Sequence, residues 1–77
     1  MINLNTITQL KMGMTREQVV AAIGEPDNKG FTNRYERQNN CPSIWNYEDL
    51  ELWFESHKHG KLLRLWDNSI HKFVDWA

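Results

Sequence analysis

Little in this sequence offers covalent or metal chemistry. The single cysteine, Cys41, can close no internal disulfide and leaves no thiol pair for zinc. Two prolines and four glycines are spread through the chain, with no linker, repeat or low-complexity tract. No apolar run approaches the ~18 residues that would cross a bilayer, so no membrane span is expected. Neither sign of charge prevails: nine Lys and Arg stand against ten Asp and Glu, a net charge of −1. That balance lacks the basic field a nucleic-acid binder carries. Met1-Ile2-Asn3-Leu4-Asn5 has no positive charge and leads into no apolar stretch, so no secretory signal is expected there. What is present is 40% hydrophobic and 25% charged, which excludes a disordered or fibrous chain. A chain of 77 residues is one domain over 1–77. At that size only about 60% of the unfolded surface is buried, so stability is marginal.

The first half has helical signals. Thr15 is a good N-cap, and Gln18 three residues on completes a capping box. Val19, Ala22 and Ile23 fall on one helical face. Gly24 stands where a C-cap is wanted, and Pro26 follows. Upstream, Ile7, Leu10 and Met14 are spaced as one stripe of a short helix, broken by Gly13. Residues 25–30 read as a turn by composition. Phe31 to Arg37 alternates loosely, as in a strand, and residues 38–43 read as a loop.

The second half reads as strands. Ile44 to Tyr47 and Leu50 to Glu55 are expected to join at Glu48-Asp49, and Leu62 to Asp67 to form a third strand. Register follows from keeping Arg64 away from the leucines: Leu52 meets Leu65, Trp53 meets Arg64, and Phe54 meets Leu63. Trp45, Tyr47, Leu50, Leu52, Phe54, Leu63 and Leu65 then share a core face. Asn46, Glu51, Trp53, Glu55, Leu62, Arg64 and Trp66 share the opposite one. In the tail, 68–77, Ile70, Phe73, Val74 and Trp76 need burial. They are expected to pack on the sheet or on a partner chain, as a short helix or an irregular segment.

A family resemblance rests on Leu10-Lys11-Met12-Gly13-Met14-Thr15-Arg16-Glu17-Gln18-Val19 and Ile23-Gly24-Glu25-Pro26. This stretch resembles the helical hairpin of the small outer-membrane assembly lipoproteins of the SmpA/OmlA (BamE) type. It is also similar to the repeats of the β-lactamase inhibitor protein. Trp45-Asn46-Tyr47 and Leu50-Glu51-Leu52-Trp53-Phe54 resemble the strands that follow, so the likeness extends over about three quarters of the chain. The implied fold is α+β, with two N-terminal helices on one face of a three- to four-stranded antiparallel sheet. The implied activity is binding to other proteins through the sheet or its loops. A lipoprotein of that family would carry a signal and a lipidated cysteine, whereas Cys41 lies mid-chain. By analogy of fold, short cytoplasmic versions are expected among bacterial immunity proteins.

Few residues suggest catalysis. His57-Lys58-His59 with His71 fixes no metal-ligand spacing and reads as a solvated turn. Cys41 has no flanking charge to activate it; Arg37 is four residues away. Glu51 and Glu55 are about 13 Å apart along a strand, too far for paired-carboxylate hydrolysis. Glu48, Asp49, Glu51 and Glu55 read instead as a solvated face or an acidic contact rim. Trp53, Arg64 and Trp66 are the usual material of a binding hot spot, or the floor of a second small core under the tail. The sequence reading is thus a non-enzymatic, cytoplasmic protein-binding domain of the inhibitor or immunity kind. Its partner is expected to be a basic toxin or enzyme, with no cofactor, metal or nucleic acid. Self-association as a homodimer stays open. The alternative is a BamE-like outer-membrane assembly scaffold.

Overall fold

A computed structural model describes residues 8–48 and 50–74. The element order is α1 (Arg16–Ile23), β1 (Asn28–Gly30), α2 (Arg34–Asn39), β2 (Ile44–Tyr47), β3 (Leu50–Phe54), β4 (Leu62–Asp67) and β5 (Lys72–Phe73). The five strands form one antiparallel sheet in sequence order. The class is therefore α+β, but the arrangement departs from two leading helices on three or four strands. One described helix precedes the sheet, and the other is inserted between β1 and β2. The stripe that begins at Ile7 falls partly on residues 1–7, outside the described residues. Trp76 and Asp49 also lie outside them.

α1 begins and ends on its local signals. Thr15 Oγ1 accepts from the Gln18 amide at 3.2 Å, and Gln18 Oε1 accepts from the Thr15 amide at 2.9 Å. Two orphan donors of the first turn are thereby satisfied. At the far end Gly24 takes φ 85°, a conformation that L side chains avoid. Val19 is fully buried, and Val20 and Ile23 pack beside it on the core. The chain entering α1 is tied to the sheet. The Gly13 amide donates to Leu62 O at 2.8 Å, and the Leu62 amide donates to Met14 O at 2.7 Å.

Two segments differ from their sequence reading. Residues 28–30 are not part of a turn but an edge strand, with Lys29 opposite Trp45. Backbone groups of β2 have their partners there, and that tertiary pairing overrides the turn composition. Phe31 to Arg37 is not a strand. Asn33 caps α2, its side chain accepting from the Glu36 amide at 2.9 Å, and Asn40 closes it at φ 51°. Asparagine is favoured at both positions, and two good caps outweigh a loose alternation.

The hairpins keep the expected register at Leu52↔Leu65 and Trp53↔Arg64, but Phe54 opposes Leu62 rather than Leu63. A β-bulge at this point adds one residue to β4 and reverses the faces of the two leucines. Leu62 is fully buried and Leu63 is 45% exposed. The inner face is Trp45, Leu50, Leu52, Phe54, Leu62 and Leu65, packed with Leu10 and Val19. Trp45 and Phe54 rings meet at 4.9 Å. The tail is neither a helix nor irregular where it is described. β5 pairs with β4, with Phe73 opposite Trp66, and the Val74 amide donates to Leu65 O at 2.8 Å. Alternation sends Phe73 to the outer face and Val74 against the core.

Candidate protein-binding face

The outer face of β3, β4 and β5 gathers aromatic rings around one arginine. Phe73 is their centre. Its ring meets Trp53 edge-on at 5.7 Å and Trp66 edge-on at 4.9 Å. The Arg64 guanidinium lies over the same ring, 5.1 Å from its centroid. These are favourable geometries for the ring quadrupoles and the cation. The polar tips are also occupied. Trp53 Nε1 donates to Glu51 Oε1 at 2.7 Å, and Trp66 Nε1 donates to Asn68 Oδ1 at 2.7 Å. Trp53 remains 37% exposed and Phe73 44%, with Leu63 beside them on the bulge. An arrangement of this kind offers exposed apolar area whose rings already pack on one another, with a cation against the central ring.

Trp53, Arg64, Trp66 and Glu51 are therefore neighbours. Glu48 and Glu55 are not part of that group. Glu48 occupies the β2–β3 turn at φ 27°, its amide donating to Asp27 Oδ2 at 2.9 Å. Glu55 follows the other end of β3, where its carboxylate accepts from the Lys61 amide at 2.9 Å and lies 3.6 Å from His57 Nε2. Phe73 was not among the sequence candidates. Helical spacing with Ile70 and Val74 set it in the tail, and a strand of two residues offers no period that would have placed it here.

A second group, also missed, is buried and polar. Glu36 is fully buried, and its carboxylate accepts six hydrogen bonds. The donors are the Thr32 amide and hydroxyl, Asn33 Nδ2, the Ser43 amide and hydroxyl, and the Ser56 hydroxyl. Burial pushes the carboxyl pKa up. The bonds from Ser56, Thr32 and Ser43 outweigh that and hold it at about 2. Nearby, Arg16 donates to the carbonyls of Pro42, His57, Gly60, Cys41 and Glu55. It also lies 4.9 Å over the Phe54 ring. Burial lowers its pKa, opposed by nearby Cys41 and Glu36. The turn it holds requires Gly60, where any Cβ would collide with Glu55 O. These groups tie α1, the segment before β2 and the β3–β4 turn into one end of the domain. The pattern Asn33-x-x-Glu36 was the signal available in sequence.

No group of three or more potential metal ligands is found among the described residues. No helix among them is long and apolar enough to cross a membrane.

Fold and face define a small α+β domain with one packed and one open sheet face. Residues 1–38 match the family model described as the outer membrane protein assembly factor BamE domain. No curated protein and no solved structure matches the chain. The match covers α1, β1 and most of α2, and it stops short of the strands that the sequence resemblance had included. It corrects two expectations. An outer-membrane assembly factor, not a toxin inhibitor, is what the N-terminal half is similar to, so the immunity reading is set aside. The cytoplasmic location fails for the same reason. The absence of a signal in the first residues was too slight a ground for it.

Proposed function

We propose that this chain is a non-enzymatic protein-binding module of the BamE kind, serving outer-membrane assembly through its outer sheet face. The observation that supports it most is the match of residues 1–38 to the outer membrane assembly factor domain. Trp53, Arg64 and Trp66, with Phe73 between them, form the contact surface in this reading. Buried aromatic and arginine anchors commonly dominate such interfaces. Glu51 orients Trp53 through its hydrogen bond. The acidic residues Glu48 and Glu55 contribute at most to long-range steering, which falls with salt.

The test is genetic and quantitative. Loss of the gene in its own host is expected to lower the amount of folded outer-membrane protein, measured by heat-modifiable gel mobility. Wild-type protein restores it. Trp53→Ala and Arg64→Ala are expected to accumulate and fold normally yet fail to restore it, as contacts of about 2 kcal/mol each would require. Unchanged outer-membrane protein after deletion overturns the assembly role. Full restoration by both variants places the contact elsewhere.

A further inference from the structure

On the other side of the domain, where α1 passes the edge of the sheet, Arg16, Glu17, Val20, Glu25 and Trp45 line an open cleft of about 310 Å³. Trp45 is only 3% exposed, and its Nε1–H is buried without an acceptor. Buried indole donors are ordinarily paired, so a group that would complete the polar arrangement here is missing. The ring already attracts a cation from within the chain. Lys29 Nζ lies 4.7 Å from the ring centroid and 3.2 Å from Glu25 Oε2. A second carboxylate, Glu17, stands on the α1 side and has no ion-pair partner among the described residues. Arg16 also lines the cleft, and its guanidinium donors are taken by main-chain carbonyls, which leaves fewer of them free for an incoming anion. Val20 supplies an apolar wall. Aromatic floor, apolar wall and two carboxylates complement a long side chain ending in a cation.

We infer that this cleft is a second binding site, taking a lysine or arginine of a basic segment in a partner protein. The methylene stem lies along Val20 and Trp45. The cation sits between Glu17 and Glu25, against the Trp45 ring. Lys29 is the internal stand-in that the incoming residue displaces. This site is separate from the outer sheet face, and its occupant is identified by charge rather than by aromatic packing.

The test is a titration of the ¹⁵N-labelled full chain with the capped peptide acetyl-Gly-Lys-Gly-amide, followed by amide and indole resonances. Peptides with norleucine or glutamate at the central position serve as controls. The lysine peptide is expected to give a saturable shift of the Trp45 indole proton, together with shifts at Glu17 and Val20. The glutamate peptide is expected to give none, and the norleucine peptide at least a tenfold weaker response. Glu17→Gln and Glu25→Gln should each weaken the response several-fold. Lys29→Ala should strengthen it several-fold, an effect opposite in sign that general loss of structure does not produce. Absence of a saturable indole shift overturns the site. Equal responses to lysine and norleucine, or a weaker response in Lys29→Ala, overturn the assignment of a cation. Outer-membrane restoration by Trp53 variants is unaffected by any of these outcomes, so the two readings fail separately.

Discussion

At the α2 end of the domain a carboxylate is buried, while on the outer sheet face three aromatic rings are left in contact with water. Both reverse the usual placement of polar and apolar groups, and such reversals are the informative ones. They differ in how completely the surroundings answer them. Glu36 has six donors on two oxygens. Nothing in its environment is left for a partner to satisfy, so its role is to join segments. Trp53, Trp66 and Phe73 satisfy one another's edges and faces, yet area remains exposed on Trp53 and Phe73. That residual area has free energy to release on binding. A buried charge with full partners serves the architecture, whereas the exposed cluster is the surface on which the proposed contact rests.

The contrast can be broken most severely at Glu36. Glu36→Ala strands several buried donors at once and is expected to cost about 3 kcal/mol or more, measured by urea unfolding. Glu36→Gln should cost less, because it keeps the volume and part of the hydrogen bonding. A loss below about 1 kcal/mol for Glu36→Ala would mean that water replaces the carboxylate freely.

Acid should produce a smaller version of the same failure, since protonation leaves the side chain in place. The Glu36 pKa is held at about 2, below its ordinary 4.5. A depressed native pKa stabilises the fold fully above the unfolded value. That contribution is lost as pH falls from about 4.5 toward 2. The denaturation midpoint of the wild type should therefore drop through this window. The midpoint of Glu36→Gln should drop less, and parallel curves would refute the assignment.

The smallest effect is expected on the open face. Phe73→Ala removes two ring contacts and one cation contact from a half-exposed position, and should cost about 1 kcal/mol in stability. Near-ultraviolet circular dichroism should change clearly, because Trp53 and Trp66 lose their shared neighbour. A cost approaching that of Glu36→Ala would show that this cluster is a second core rather than a contact surface.

Much of the core was legible from local pattern. Thr15, Gln18 and Gly24 bound α1 because capping is decided within a few residues. Leu50, Leu52 and Leu65 turn inward because side chains alternate along a strand, and a one-residue slip would bury Arg64. The outer face was legible in part: Trp53, Arg64 and Trp66 are adjacent, but their organiser, Phe73, arrives from a strand of two residues. A run that short has no period to read. The same limit hid Asn28–Gly30, whose composition favours a turn and whose conformation is set by β2.

The sequence by itself determined α1 with its caps, the three central strands and the inward facing of Leu50, Leu52 and Leu65. Those features rest on spacings of two to four residues, over which backbone geometry dictates what meets. Only the tertiary structure decided the bulge that exchanges Leu62 for Leu63, the edge strands, and the partners of Arg16 and Glu36. Arg16 reaches carbonyls 25 to 44 residues away, and Glu36 accepts from Ser56 across 20. A polar side chain carries no mark of which distant backbone group it will meet. That choice is made when the packed core brings the ends of separate elements together.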